Sequence, residues 1–364
     1  MEEVYQRLAR HLGPLVQGYP YTEELPGLLR AGFGPTEALA ALAIPADLHP
    51  LEVAPLSAIC AASELPPEET ARLLEGLAER GQVFSRRHLS GEPGYALHQV
   101  GYGMPQAYFW GGGAGPEAER LAKAVMGYFR VDTTAKIYGG RPTKTFRYAP
   151  ASLKVDAPKQ GVLPGELMEP VLERAGLIAV CNCPCRVSAR VLGRRDCPHS
   201  LEVCLKYDEM AEFVTHRGLG RAIGADEARA ILMAAEEEGL VHMVDNATGG
   251  IKHTCNCCGC YCWNLGIIRR RKVPRDVLMA SYFLRETREE ECVGCGACAE
   301  ICPVDAVRLE DGTAAVDEDW CVGCGVCAGV CPGGAVGIVR RTGQTAPAHT
   351  AELFARLAAE PRPE

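Results

Sequence analysis

Two stretches of this chain repeat each other cysteine for cysteine, and no other feature restricts its fold as much. CVGCGACAEICPVDAV begins at Cys292 and CVGCGVCAGVCPGGAV at Cys321, an offset of 29 residues. Cys292, Cys295, Cys298 and Cys302 map onto Cys321, Cys324, Cys327 and Cys331, and proline follows the last cysteine of each run as Pro303 and Pro332. Internal duplication at a fixed period means one small unit folded twice. Three thiolates spaced two residues apart let a short loop wrap three corners of an iron–sulfur cubane, and the fourth cysteine of each run then ligates the other cluster. The expected sets are Cys292, Cys295, Cys298 and Cys331 for one cluster, and Cys321, Cys324, Cys327 and Cys302 for the second. Gly294, Gly296, Gly323 and Gly325 let the backbone approach the sulfides, so that N–H groups point at cluster sulfur. Zinc sites use two ligand pairs separated by a longer spacer, unlike four cysteines in eleven residues.

The chain has nineteen cysteines in all. Cys60 stands alone and is expected to be a buried core thiol. An odd total cannot pair completely, and the first residues lack the charged-then-apolar pattern of a secretion signal. A cytoplasmic location is therefore expected, with reduced thiols that hold metal rather than disulfides. No stretch reaches the ~18 apolar residues of a membrane span. Hydrophobic residues make up 47% and charged residues 23%, enough to bury a core. The net charge of −8 speaks against generic binding to nucleic acid.

Ten cysteines lie between these extremes: Cys181, Cys183, Cys185, Cys197, Cys204, Cys255, Cys257, Cys258, Cys260 and Cys262. In an extended strand Cys181, Cys183 and Cys185 would share one face and converge on one inorganic centre. Additional [4Fe-4S] clusters are the preferred occupants. Structural zinc is the alternative, with His199, His242 and His253 close in sequence. All ten are candidate metal ligands. Their division into sites is not legible in the spacing.

Residues 291–340 resemble two-cluster bacterial ferredoxins. The wider chain, roughly 36–340, is similar to a family of prokaryotic iron–sulfur-binding, ferredoxin-type proteins. The resemblance rests on Cys183-Pro-Cys185-Arg186, the Cys197/Cys204 pair, the helix end GLVH, CNCCGCYC and the terminal repeat. Cys181 is an extra thiol against that pattern, and Tyr261 stands where another cysteine is common. What the resemblance implies is cluster binding and electron transfer, with no defined substrate.

The first hundred residues read as ordinary globular structure. TEALAALAI, PLSAICAASEL and PPEETARLLEGLAERGQ are expected helices, followed by the hairpin VFSRRHL/GYALHQ across SGEP. This order resembles a winged-helix domain. From Leu51 to Gln99, Glu52, Glu64, Glu68, Glu69, Glu75, Glu79 and Glu92 outnumber Arg72, Arg80, Arg86 and Arg87, so docking or scaffolding is expected rather than DNA binding.

The glycines at 111–113 match no phosphate loop and read as a hinge. A short helix is expected at 117–129, and an irregular connection over Thr133–Gly161. GELMEPVLERAGLIAV reads as a helix feeding a strand, and ADEARAILMAAEEEGL as a helix closed by Gly239. Arg269, Arg270, Arg271 and Lys272 form a basic linker, solvated or compensating cluster charge. Trp263 and Trp320 are expected to shield clusters from water.

The fold class expected is α+β multidomain. A winged-helix-like region spans 1–100, a glycine- and proline-rich connector 101–165, and a cysteine-rich α/β metal-binding domain 166–265. A basic linker follows at 266–290, then the ferredoxin-like domain at 291–340 and a polar tail at 341–364. The expected function is intracellular electron transfer through two ferredoxin-type [4Fe-4S] clusters, with further centres in the middle domain and a redox protein as partner. Two rivals stand beside it. One is an oxidoreductase whose middle-domain centre binds substrate, fed by another protein because no flavin or nicotinamide site is legible. The other is a redox-sensing winged-helix regulator.

Overall fold

The computed structural model describes residues 2–151, 167–341, 343 and 345–361. Helices α1 (Glu2–Leu12), α2 (Leu25–Gly32) and α3 (Pro35–Leu42) open the chain. Strand β1 (Ala54–Pro55), helices α4 (Leu56–Ala62) and α5 (Pro67–Glu79), and the hairpin β2 (Val83–Arg87)/β3 (Pro93–Leu97) come after them, in the sheet order β1-β3-β2. The expected helices and hairpin are present. Helix α5 starts on Pro67 with Glu68 and Glu69 in its first turn and turns Leu73, Leu74, Leu77 and Ala78 inward. Cys60 departs from expectation: on α4 only Ile59 is buried, and Cys60 is half-exposed with its thiol donating to the Pro67 carbonyl at 3.5 Å.

This N-terminal region is docked on the middle of the chain. Arg217 grips Glu75 of α5 with both guanidinium nitrogens, at 2.5 and 3.0 Å. Nearby, His98 is wedged between the rings of Phe84 and Phe213 (centroids 6.3 and 5.6 Å), and its Nε2 has no hydrogen-bond partner among the described residues. Burial pushes the imidazole down to about 3. The unfolded chain takes up this proton near pH 6.5 and the folded chain only far below it, so the site's stability is complete above that value and is lost as pH falls. Relative to His98→Leu, the wild type is expected to lose about 1.4 kcal/mol between pH 7.5 and 5.5, read as a difference in denaturant midpoints. Equal losses in both proteins would show that His98 does not titrate in this way.

Helices α6 (Gln106–Trp110), α7 (Gly115–Tyr128) and α8 (Val131–Gly139) come next. The glycines at 111–113, read from the sequence as a hinge, form a tight turn. Gly112 is left-handed (φ 83°), and the Asn182 amide donates to the Trp110 carbonyl at 3.0 Å. The expected irregular connection instead carries α8 and strand β4 (Phe146–Ala149), whose four residues are all buried. The remainder of that stretch, 152–161, lies outside the described residues, as do 162–166.

The rest of the middle region alternates: α9 (Glu169–Arg174), β5 (Ile178–Asn182), α10 (Pro184–Val191), β6 (Glu202–Tyr207), α11 (Glu209–His216), β7 (Arg221–Ile223), α12 (Ala225–Glu237), β8 (Val241–Asp245) and β9 (His253–Cys257). The strands form an antiparallel sheet ordered β4-β8-β9-β6-β5-β7. One face buries Val180, Leu205 and Val244 against Ala228 and Leu232 of α12. The opposite face carries the cysteines.

Short helices α13 (Leu265–Arg269) and α14 (Arg275–Leu278) lead to the repeat. Strand β10 (Phe283–Thr287) pairs with β13 (Val336–Arg340), enclosing α15 (Ala297–Glu300) and the hairpin β11 (Val307–Glu310)/β12 (Thr313–Val316). The tail carries the short helix α16 (Thr350–Ala359), which is packed down: Leu353, Phe354 and Leu357 are buried, and Arg141 donates to the Leu357 carbonyl at 2.9 Å. Among the described residues no helix is long and apolar enough to cross a membrane.

Candidate metal centres

Strand register assembles the middle thiols. Cys181 pairs with Cys204, Lys206 with His253, Met243 with Cys255 and Val241 with Cys257. Side chains two apart on a strand share a face, so Cys181, Cys204, Lys206, His253, Cys255 and Cys257 lie on one side of the sheet. The strand expected to carry Cys181, Cys183 and Cys185 stops early. A bulge comes after Cys181, β5 ends at Asn182, and Pro184 opens α10 with Cys183 as its N-cap. Proline fixes the backbone for a first helical turn, so Cys183 and Cys185 sit at a helix N-terminus, where their mutual interaction holds the Cys183 thiol low and the Cys185 thiol high. Cys181 stays behind in an apolar layer with Ala179, Met210 and Phe213, and burial pushes its thiol up to about 12.

The thiols of Cys183, Cys185, Cys262, Cys257, Cys255 and Cys204 follow one another as neighbours that shift each other's protonation. Hydrogen bonds from its neighbours Cys204 and Cys257 hold the Cys255 thiol well below the usual range, and those from Cys185 and Cys257 do the same for Cys262. All six, together with Cys258, line a chamber of about 60 Å³, closed on other sides by Trp110, Phe129, Tyr138 and Trp263. Trp263 stacks on Phe129 at 5.7 Å, beside the thiols.

Cys258, which also borders this chamber, groups with Cys197 and Cys260, the three sulfurs lying within 4.8 Å of one another. The ten middle cysteines therefore divide into a field of six, a triad, and Cys181.

Buried cations face these thiols; of them the sequence points to Arg186 within a motif and to His253 as a zinc-site histidine, but not to Lys206. Lys206 is 2% exposed, its ammonium 4.0 Å from the Trp110 ring centre. Burial opposes its charge, yet Cys204, Cys255 and Cys181 raise its pKa. Burial likewise opposes charge on His253, but Asp245 at 3.4 Å lifts it to about 9. Arg186, 1% exposed, donates to the Asn256 carbonyl at 3.3 Å, while its Nε and Nη2 make no hydrogen bond among the described residues. Buried charges require partners, so three cations facing a thiol field fit an anionic metal–thiolate group. Of the other two histidines weighed, His242 is bonded to Asn256 (2.6 Å) and Glu236 (3.0 Å) within the core, and His199 lies beside Glu238.

In the repeat, Cys292, Cys295, Cys298 and Cys331 line one small chamber together with Arg285. The Arg285 guanidinium donates to the Cys298 sulfur at 3.7 Å, and its Nε has no partner among the described residues. Cys302 lies on the other side with Cys321, Cys324 and Cys327. The fourth cysteine of each run is thus placed with the opposite run. Gly296 and Gly325 take left-handed conformations (φ 81° and 75°) that let each loop enter its helical turn.

The two groups differ in setting. Cys295 is exposed, whereas Cys321, Cys324 and Cys327 are buried. Cys321 and Cys324 share one apolar cluster with Tyr148, Cys257 and Cys262. Burial, reinforced by Cys262, Cys257 and Cys324, drives the Tyr148 hydroxyl well above its ordinary value. The basic linker fastens the join: Arg269 pairs with Asp305 at 3.0 Å, and Arg271 donates to the Asp305 carbonyl and lies 4.5 Å from the centre of the Trp320 ring. Trp320 therefore serves that join.

Residues 286–339 match the family model of the 4Fe-4S dicluster domain. With the paired cysteine groups in place, the C-terminal part of the chain is a ferredoxin-type iron–sulfur domain. No curated protein and no solved structure matches the chain.

Proposed function

We propose that the protein is an iron–sulfur electron-transfer protein in which electrons pass between an exposed ferredoxin cluster and a buried centre in the middle domain. The observation that carries this reading is the buried Tyr148, which lies near both Cys324 of the ferredoxin repeat and Cys257 and Cys262 of the middle thiols. The route runs from the group at Cys292, Cys295, Cys298 and Cys331, through that at Cys302, Cys321, Cys324 and Cys327, to the field of six middle thiols. Four of the six suffice for a third cubane, with Arg186, Lys206 and His253 as counter-charge. The ferredoxin clusters supply single-electron redox chemistry. The chain's own residues set the order of the centres, exclude water around the inner two and fix their electrostatic surroundings.

The N-terminal region has the helix, strand and hairpin order of a winged helix, and we read it as a docking module. Its α5, the helix that would enter a DNA groove, carries Glu68, Glu69, Glu75 and Glu79, and Glu75 is held by Arg217. That placement favours a scaffold over a regulator.

A second reading is favoured by one surface feature. A cleft of about 500 Å³ reaches Cys185, Cys260 and Cys262 and is bordered by Arg130, Arg194 and Arg270. An oxidoreductase with an anionic substrate would need such access. The acceptor or donor at the other end would be a redox protein.

The test is anaerobic iron and sulfide content with stepwise reduction. Two ferredoxin clusters require about eight irons, and a third cubane about twelve. The Cys257→Ser/Cys262→Ser variant is expected to lose about four irons and one reduction step. An unchanged iron count would remove the middle centre from the route.

A further inference from the structure

The two thiol groups of the middle domain are spaced differently, and the spacing bears on what each holds. Cys197 and Cys258 have their sulfurs 3.8 Å apart, and with Cys260 all three lie within 4.8 Å of one another. A metal ion bonded to thiolates at about 2.3 Å in tetrahedral geometry sets neighbouring sulfurs about 3.8 Å apart. Thiolates on a cubane stand farther apart, because each binds a different iron on the outside of the core. The chain supplies its own comparison. Among the described residues, no three of the eight ferredoxin cysteines come as close as this triad.

We propose that Cys197, Cys258 and Cys260 form a mononuclear tetrahedral site for a zinc-type cation, with His199 as the fourth ligand. His199 comes two residues after Cys197 on the same loop with its Nδ1 3.6 Å from Glu238; its ring nitrogens lie outside the 4.8 Å triad in this structure, so the ring must turn to bring Nε2 onto the ion. Glu238 also fixes the loop by accepting from the Ser200 backbone at 2.9 Å. A carboxylate behind the second ring nitrogen is the usual support of a zinc-bound histidine. The charge closes as well. One divalent cation with three thiolates and a neutral imidazole carries −1, and the buried Arg186 guanidinium lies against Cys258 and Cys197. The Tyr261 backbone N–H donates to the Cys258 sulfur at 3.5 Å, as amides around metal thiolates do. The site would tie the loop after α10 to the turn after β9 and fix the wall behind the field of six. It does not depend on the electron route proposed above, since it holds a redox-inert ion.

The experiment is elemental analysis and zinc-edge X-ray absorption on the full chain, purified anaerobically with its clusters. The expected result is one zinc per chain with three sulfurs and one nitrogen in its shell. Cys260→Ser is expected to lower zinc occupancy at least tenfold in the presence of a competing chelator while leaving iron unchanged. Because Cys260 is half-exposed, this variant should fold, and His199→Ala should replace the nitrogen by solvent oxygen with three sulfurs retained. Loss of about four irons in Cys260→Ser would overturn the proposal by making the triad part of a cubane. Zinc that survives the substitution, or a shell of four sulfurs, would also overturn it. Failure of electron transfer with zinc intact would count against the proposed function alone.

Discussion

Gly323→Ala is expected to abolish the inner ferredoxin cluster, with the loss of about four irons and a destabilisation above about 3 kcal/mol. Gly323 sits between Cys321 and Cys324 with φ 66°, and a Cβ placed there would stand 2.1 Å from the Phe283 carbonyl oxygen. That oxygen belongs to the β10 backbone, which is tied to β13, so neither side can yield cheaply. Gly334 provides the control. It has the same φ of 66° but nothing within 4 Å of the added carbon, so alanine there costs only the left-handed strain, roughly 1–2 kcal/mol. Iron content and thermal unfolding of the two variants separate close approach from backbone strain. Equal behaviour would mean that the loop does not press on β10.

Lys206→Met should lower the reduction potential of the middle centre by on the order of 100 mV. Reduction adds a negative charge, which the buried ammonium beside Cys204 and Cys255 stabilises. At about 6 Å and an effective dielectric constant near 20, that attraction is roughly 3 kcal/mol for one electron. Methionine keeps the length of the chain against Trp110 without the charge, so packing changes little. A spectroelectrochemical titration should show the shift in one centre and leave the ferredoxin clusters in place. An unmoved potential would locate the middle centre away from Lys206.

What could be read from the sequence was local. The 29-residue offset exposed the duplication because cluster ligation dictates both residue type and spacing. Amphipathic helices such as α5 and α12 were legible from their apolar faces. Strand β4 was missed because FRYA is short and comes after a lysine-, proline- and threonine-rich stretch, and its pairing with β8 joins residues about a hundred positions apart. Treating Cys181, Cys183 and Cys185 as one strand face overlooked Pro184, which starts a helix there. The division of Cys257 from Cys258 arises from the end of β9. Lys206 gave no signal, since a single basic residue in a strand ordinarily reaches solvent, and Arg186 was visible only as part of the Cys183-Pro-Cys185-Arg186 motif, without its burial.

The unequal cover of the two ferredoxin sites gives the molecule a polarity. With Cys295 at the surface and Cys321, Cys324 and Cys327 enclosed, a partner and dissolved oxygen approach by the same door. The terminal that must be reachable for traffic is therefore also the sacrificial one. Damage in air should begin there, while the inner ferredoxin site is still whole.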